Sequence, residues 1–156
     1  LTVGLSTAFE FPGDFTVEFT INLQSVTGTQ AIIGNYTSYT LSHWLFQMSG
    51  ATLLWNFGGT GGTIALGGAS LSPSTPYKIA LVRSGTSCTG YVNGTAIGAV
   101  ATVSGTIGLS TNAVAIGARS NGSSPSNVFV DEVRITKGVA RYTANYTPTA
   151  LPFPNS

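Results

Sequence analysis

The segment Phe15-Thr16-Val17-Glu18-Phe19-Thr20-Ile21 alternates apolar and polar side chains with a period of two. That period belongs to a strand, so Phe15, Val17, Phe19 and Ile21 share one face, and that face is predicted core. Nowhere does the chain repeat apolar residues at helical spacing for more than a couple of turns, and 20 Gly with 7 Pro penalise helices throughout. A chain like this has to build its core from strands. His43-Trp44-Leu45-Phe46-Gln47-Met48 and Leu53-Leu54-Trp55-Asn56-Phe57 flank Ser49-Gly50-Ala51 and predict a hairpin. Tyr77–Arg83 and Thr89–Asn93 predict a second, and the Asn93-Gly94 pair that follows is the strongest short hairpin signal there is. Val114-Ala115-Ile116 and Val128–Ile135 add strands, with a Gly- and Ser-rich loop, Ser120–Ser126, between them. Many short strands at regular spacing indicate an all-β sandwich or barrel, and a chain of this length suits roughly a dozen strands in two sheets. Pro148, Pro152 and Pro154 predict an extended C-terminal tail that lies along an edge or leads out of the domain.

The 156 residues fit one domain, 1–156, with no internal repeat, linker or heptad. The start at Leu1, without an initiator Met or a basic leader, reads as a piece of a longer chain. Only 7% of residues are charged, against roughly 25% in an ordinary soluble domain. Six Lys and Arg against five Asp and Glu leave no clustered basic face for a phosphate backbone, which excludes nucleic acid as a partner. No apolar run approaches the ~18 residues of a bilayer span, so membrane insertion is not expected. Cys88 is the single cysteine and reads as a free thiol.

Three stretches resemble the laminin G-like, concanavalin A-like jelly-roll family: Gly13-Asp14-Phe15-Thr16-Val17-Glu18-Phe19; Tyr77–Arg83 with Tyr91-Val92-Asn93-Gly94-Thr95; and Val130-Asp131-Glu132-Val133-Arg134-Ile135-Thr136-Lys137-Gly138-Val139-Ala140-Arg141-Tyr142, closing with Asn145-Tyr146-Thr147-Pro148. The last block is similar to the C-terminal signature of the subgroup found in bacteriophage tail and other virion proteins and in some bacterial surface proteins. The resemblance implies a two-sheet antiparallel jelly-roll sandwich and a virion, extracellular or cell-surface setting. Thr20 and Tyr77, where relatives often carry Trp, depart from the pattern. Jelly rolls host lectins, glycanases and structural modules alike, so function has to be argued from the site.

Glycanases need two carboxylates facing one another across a sugar, and residues sharing a strand face lie an even number apart. Asp131 and Glu132 are adjacent, and Glu18 has no acidic neighbour two residues away, so no catalytic residues are assigned. His43 is the only histidine, and a triad with Cys88 would need a geometry that the spacing does not suggest. Gly58-Gly59-Thr60-Gly61-Gly62 lacks the Lys-Ser or Lys-Thr of a phosphate loop. Calcium, often held at the rim in relatives, wants six to eight hard oxygens, and only Asp14, Asp131 and Glu132, with Asn121 or Asn127, are available. The expectation is no cofactor, with calcium left as the alternative. Arg134 or Arg141 is read as neutralising the neighbouring acid, and Arg134, Lys137 and Arg141 together as a solvated or paired structural motif. Four Asn-X-Ser/Thr triplets begin at Asn35, Asn93, Asn121 and Asn145, as composition alone would generate.

A lectin site needs an exposed flat ring beside amide, hydroxyl or guanidinium groups. Tyr36, Tyr39, His43, Trp44, Asn35 and Asn56 supply those types in one region of the chain, and Arg119 and Asn121 add polar groups from a second loop. The Tyr36–Tyr39 loop is the candidate for exposure, whereas Trp44 with Phe46, and Trp55 with Phe57, also read as core pairs. The expected function is a non-catalytic recognition or adhesion module that binds glycan or a host-surface polysaccharide. The alternative is a structural virion module that packs against other virion subunits or copies of itself as a homo-oligomer, because few charges are available to protect its edge strands.

Overall fold

The computed structural model describes residues 1–37, 43–59, 62–66, 69–108, 112–150 and 153. Eleven strands run through them: β1 Thr2–Val3, β2 Phe15–Leu23, β3 Thr29–Gly34, β4 Trp44–Ser49, β5 Thr52–Gly59, β6 Gly62–Leu66, β7 Pro76–Ser84, β8 Ser87–Val92, β9 Thr95–Thr102, β10 Val114–Ile116 and β11 Val128–Lys137. The helical content among the described residues is one 3-10 turn, Thr7–Phe9. The strands form a six-stranded sheet ordered β1-β10-β3-β4-β5-β6 and a five-stranded sheet ordered β11-β2-β7-β8-β9, every pair antiparallel. Two sheets face to face make the predicted sandwich.

The alternation in β2 does what its period dictates. Phe15, Val17, Phe19, Ile21 and Leu23 are buried between the sheets, where they meet Trp44, Phe46, Met48, Leu53, Trp55 and Phe57 of β4 and β5. Phe11 stacks on Phe15 at 4.3 Å and tilts against Trp44 at 5.8 Å, while Phe19 meets Phe46 edge-on at 4.8 Å. Each such ring, fully withdrawn from water, contributes on the order of 2 kcal/mol. Both predicted hairpins form, and Asn93 and Gly94 turn at positive φ, 49° and 77°, the backbone that the Asn-Gly pair favours.

The C-terminal tail departs from the sequence expectation: residues 138–150 cross the outer face of the five-stranded sheet rather than following an edge or leaving the domain. Three apolar side chains on that face, Ala80, Val82 and Tyr91, are buried beneath Ala140, Tyr142 and Tyr146, and burying them is what draws the tail inward. Tyr142 and Tyr146 stack at 3.5 Å and 5°. Polar fastenings fix the crossing: Arg141 N–H donates to Thr16 Oγ1 (3.0 Å), Ala96 N–H to Asn145 Oδ1 (2.9 Å), Tyr146 N–H to Gly94 O (2.9 Å) and Lys78 Nζ to Thr149 O (2.6 Å). Gly94 is required here, since a methyl group on it would overlap the Tyr146 carbonyl. Pro152 and Pro154 lie outside the described residues.

Under this strap sits Glu18, buried on the outer face of β2. Arg134 Nε donates to its Oε2 at 2.8 Å, Tyr142 O–H donates to its Oε1 at 2.8 Å, and Arg141 approaches at 3.7 Å. The acid that the arginines neutralise is therefore Glu18, not Asp131 or Glu132. A bulge explains it: the β2–β11 register slips between Asp131 and Arg134, where Glu132 turns at φ 54°, so Arg134 lands opposite Glu18. Lys137, the third cation of the motif, donates to Thr7 O at 2.9 Å.

Candidate functional site

Residues of three loops meet beside the outer face of the six-stranded sheet: 35–37 and 43 between β3 and β4, 103–108 and 112–113 between β9 and β10, and 117–127 between β10 and β11. Period-two alternation turns Trp44, Phe46 and Met48 inward, so Leu45 faces outward, where it is buried with Ala31 and Tyr36 in a small cluster separate from the main core. Tyr36 is covered from above. The Arg119 guanidinium lies over its ring at 4.8 Å, and His43 meets its edge at 4.6 Å and 71°. Ser120 N–H donates to Tyr36 O at 3.0 Å, Asn121 Nδ2 to Thr37 O at 3.4 Å and Asn112 Nδ2 to Thr37 Oγ1 at 3.0 Å. Asn35, also buried, accepts from Trp44 N–H at 2.8 Å and donates to Gly108 O at 3.4 Å. The two loops that sequence could not connect are thus tied together, and Ser123 N–H and Oγ, donating to Asn121 Oδ1 at 3.1 and 2.7 Å, hold the tip of the second.

The sequence-predicted residues separate by depth. Tyr36 is 3% exposed and His43 and Trp44 are 0% exposed, which corrects the expectation that the Tyr36 ring is exposed. Tyr36 goes under because Leu45 and Ala31 offer an apolar seat on one side while Arg119 closes the other. Trp44 belongs to the main core against Phe11, and Trp55 lies there too. Tyr39 lies outside the described residues. Asn56 and Arg119 are half-buried and Asn121 is exposed. Asn56 pairs with Leu45 across β4 and β5, and Gln47 with Leu54 and Ala31. The outward face thus carries Gln47, Leu54 and Asn56, all half-buried, alongside the loop cluster. Sequence reading passed over Gln47, Leu54, Thr37 and Asn112. Alternation within β4 and β5 was the signal for the first two, and none existed for the others.

The remaining reactive groups are committed elsewhere. Cys88 is fully buried on β8, and desolvation pushes its thiol up to about 12, against the opposing pull of Arg83, so it is an inert core residue. Glu18 faces a guanidinium and a phenol, not the second carboxylate that a paired-acid hydrolase requires. The carboxylates proposed for calcium are dispersed: Asp14 accepts from Gly85 N–H (2.7 Å), Asp131 from Glu132 N–H (2.8 Å) and Glu132 from Phe153 N–H (2.6 Å). Among the described residues no three His, Cys, Asp or Glu gather into a metal site, and these residues do not fit calcium. Among them, too, no helix is long and apolar enough to cross a membrane.

The family pattern of the Concanavalin A-like lectin/glucanases superfamily matches residues 2–141. No curated protein matches the chain by sequence. Among solved structures, domains LG4-5 of the mouse laminin alpha1 chain superpose over 99% of this chain and 44% of that one, with a TM-score of 0.65 at 13% identity. A heptameric SAP-like pentraxin from Limulus polyphemus superposes over 86% of this chain and 73% of its own (TM-score 0.57, 17% identity). A Trypanosoma rangeli sialidase mutant displaying trans-sialidase activity does so over 79% and 20% (TM-score 0.55, 16% identity). The chain therefore spans less than half of the laminin structure and about a fifth of the sialidase, and at these identities the likeness is one of fold.

Proposed function

Because the chain belongs to the Concanavalin A-like lectin/glucanases superfamily, we propose that it is a recognition module that binds carbohydrate by contact rather than catalysis, on the outer face of the six-stranded sheet where the loops meet. The observation that carries this reading is the tethering of Arg119 and Asn121 beside Tyr36 and Thr37, which sets polar groups from two loops on a rigid sheet. A saccharide offers an apolar C–H face and a hydrogen-bonding rim, and half-exposed Leu54 beside Gln47 and Asn56 is complementary to both. In this reading Asn56, Arg119 and Asn121 touch the ligand, while Tyr36, His43 and Trp44 hold them in place. The commitment of Glu18 to Arg134 and Tyr142 supports the non-catalytic part. The setting we assign is a virion or cell surface, on the likeness of the Val130–Tyr142 block to virion modules, with a host polysaccharide as partner.

Glycan-array screening followed by calorimetry tests the proposal. Binding at millimolar affinity or better is expected, with loss in Asn56→Ala and Asn121→Ala; silence toward every saccharide class at millimolar concentration overturns it. One observation favours a structural role as a second reading. Edge strand β9, Thr-Ala-Ile-Gly-Ala-Val-Ala-Thr, carries no charge and leaves Val100 59% exposed, so beyond Ala96, whose N–H is taken by Asn145, a second copy or another subunit has an uncharged edge to pair with. Sedimentation showing a monomer that ignores its sibling proteins would remove that reading.

A further inference from the structure

We infer that Arg119 is the receptor for an anionic group, a carboxylate or a sulfate, on the saccharide; this rests on the carbohydrate reading and narrows its ligand class. The chain has six Lys and Arg, and five of them donate to acceptors within the fold. Arg134 and Arg141 serve Glu18; Lys78 and Lys137 serve the carbonyls of Thr149 and Thr7. Buried Arg83 donates to the carbonyls of Gly85 (2.9 Å), Phe11 (3.4 Å) and Gly105 (2.7 Å). Arg119 differs from all of these. Its guanidinium lies over the Tyr36 ring, which attracts the charge but accepts no conventional hydrogen bond, and its Nε is buried with no acceptor among the described residues.

No Asp or Glu side chain completes the site: all five lie within the described residues, and none of them pairs with Arg119. A guanidinium already stripped of water on one edge gives up less hydration on meeting an anion than a fully solvated one, and its planar fork matches the oxygens of carboxylate or sulfate. The surroundings suit such a ligand. Asn121 presents an amide that keeps a second N–H beyond the one given to Thr37 O, and Thr37, whose Oγ1 accepts from Asn112, retains a hydroxyl hydrogen to donate. Of the five acids, Glu18, Asp131 and Glu132 belong to the other sheet, Asp14 lies at the β7–β8 turn and Glu10 ends the 3-10 turn.

Calorimetry with three matched probes tests this: an oligogalacturonate, its methyl ester and a sulfated galactan oligosaccharide. The acidic or the sulfated probe should bind at least about tenfold tighter than the ester, as a charge-assisted hydrogen bond requires. That advantage should shrink between about 50 and about 500 mM salt. Arg119→Gln should abolish the preference, so that acid, sulfate and ester bind alike, with Arg119→Lys intermediate, and the arm that responds in the unaltered protein distinguishes carboxylate from sulfate. In the unaltered protein, the Arg119 Nε–H resonance should move on titration with the preferred probe. Equal binding of acid and ester, unchanged by Arg119→Gln and with a stationary Nε–H signal, overturns the anion receptor while leaving carbohydrate recognition in place. Failure of all three probes together with every neutral glycan overturns both.

Discussion

Two arginines, one on the outer side of each sheet, lie over aromatic rings: Arg134 over Phe153 at 3.9 Å and Arg119 over Tyr36 at 4.8 Å. Arg134 also grips Glu18 at 2.7 Å beneath the C-terminal strap, whereas no carboxylate among the described residues pairs with Arg119. The same side chain on the same kind of seat therefore does different things. With an internal acid, it closes a structural network; without one, it keeps its charge for something outside the chain. The five-stranded sheet has its outer surface covered by its own tail, and the six-stranded sheet leaves its outer surface to loops and half-exposed amides.

Removing the internal acid should have the largest effect. Glu18→Ala leaves Arg134, Arg141 and Tyr142 facing an empty position, and breaking one partner of a buried pair costs about 3 kcal/mol or more, measurable by urea denaturation. Next, Gly94→Ala should destabilise by roughly 2 kcal/mol, since it strains a backbone at φ 77° and pushes on the Tyr146 carbonyl. Limited proteolysis should then cut within residues 138–150 while the sheets stay protected. Alkaline pH sharpens the contrast further. Desolvation, and then proximity to Glu18, hold the Tyr142 phenol above its ordinary value, and burial raises Tyr146 as well. Groups whose folded pKa is raised lend stability that is complete below the unfolded value of about 10 and is lost as pH climbs beyond it toward the folded one. The denaturation midpoint should therefore fall above about pH 10, less steeply in Tyr146→Phe. Smallest of all, Arg119→Gln should change stability by no more than about 1 kcal/mol, the scale of one cation–π contact. Should Arg119→Gln cost as much as Glu18→Ala, the distinction between the two arginines would collapse.

Local signals revealed most of the fold. The Phe15–Ile21 alternation, the Asn93-Gly94 turn and the β4–β5 hairpin each involve residues close in sequence, where side-chain period and turn chemistry are decisive, and the family signature supplied the sandwich. Arrangements that depend on distant partners were not legible. Glu18 and Arg134 are 116 positions apart, and a bulge sets their register. The burial of Tyr36 depends on Arg119 arriving from a loop 83 positions away, by the difference of their numbers. The strap was misread because three prolines suggested an extended segment along an edge or out of the domain, while the apolar patch that retains it, Ala80, Val82 and Tyr91, lies on an outward strand face. Of the candidate site, sequence singled out two loops that the structure ties together, but not which of their side chains face solvent.

The pairing of β2 with β11 also bears on how the chain comes to be folded. Residues 15–23 find one of their two neighbours only in residues 128–137, so a nascent chain emerging from the ribosome carries one side of β2 unpartnered until nearly all of these strands have been made. Pairings of such long sequence separation place a domain among the slower folders, in milliseconds to seconds. During that interval, Phe15, Val17 and Phe19 are exposed to any other growing chain that presents a strand, and it is in synthesis, more than in the finished molecule, that this sequence is most at risk of aggregation.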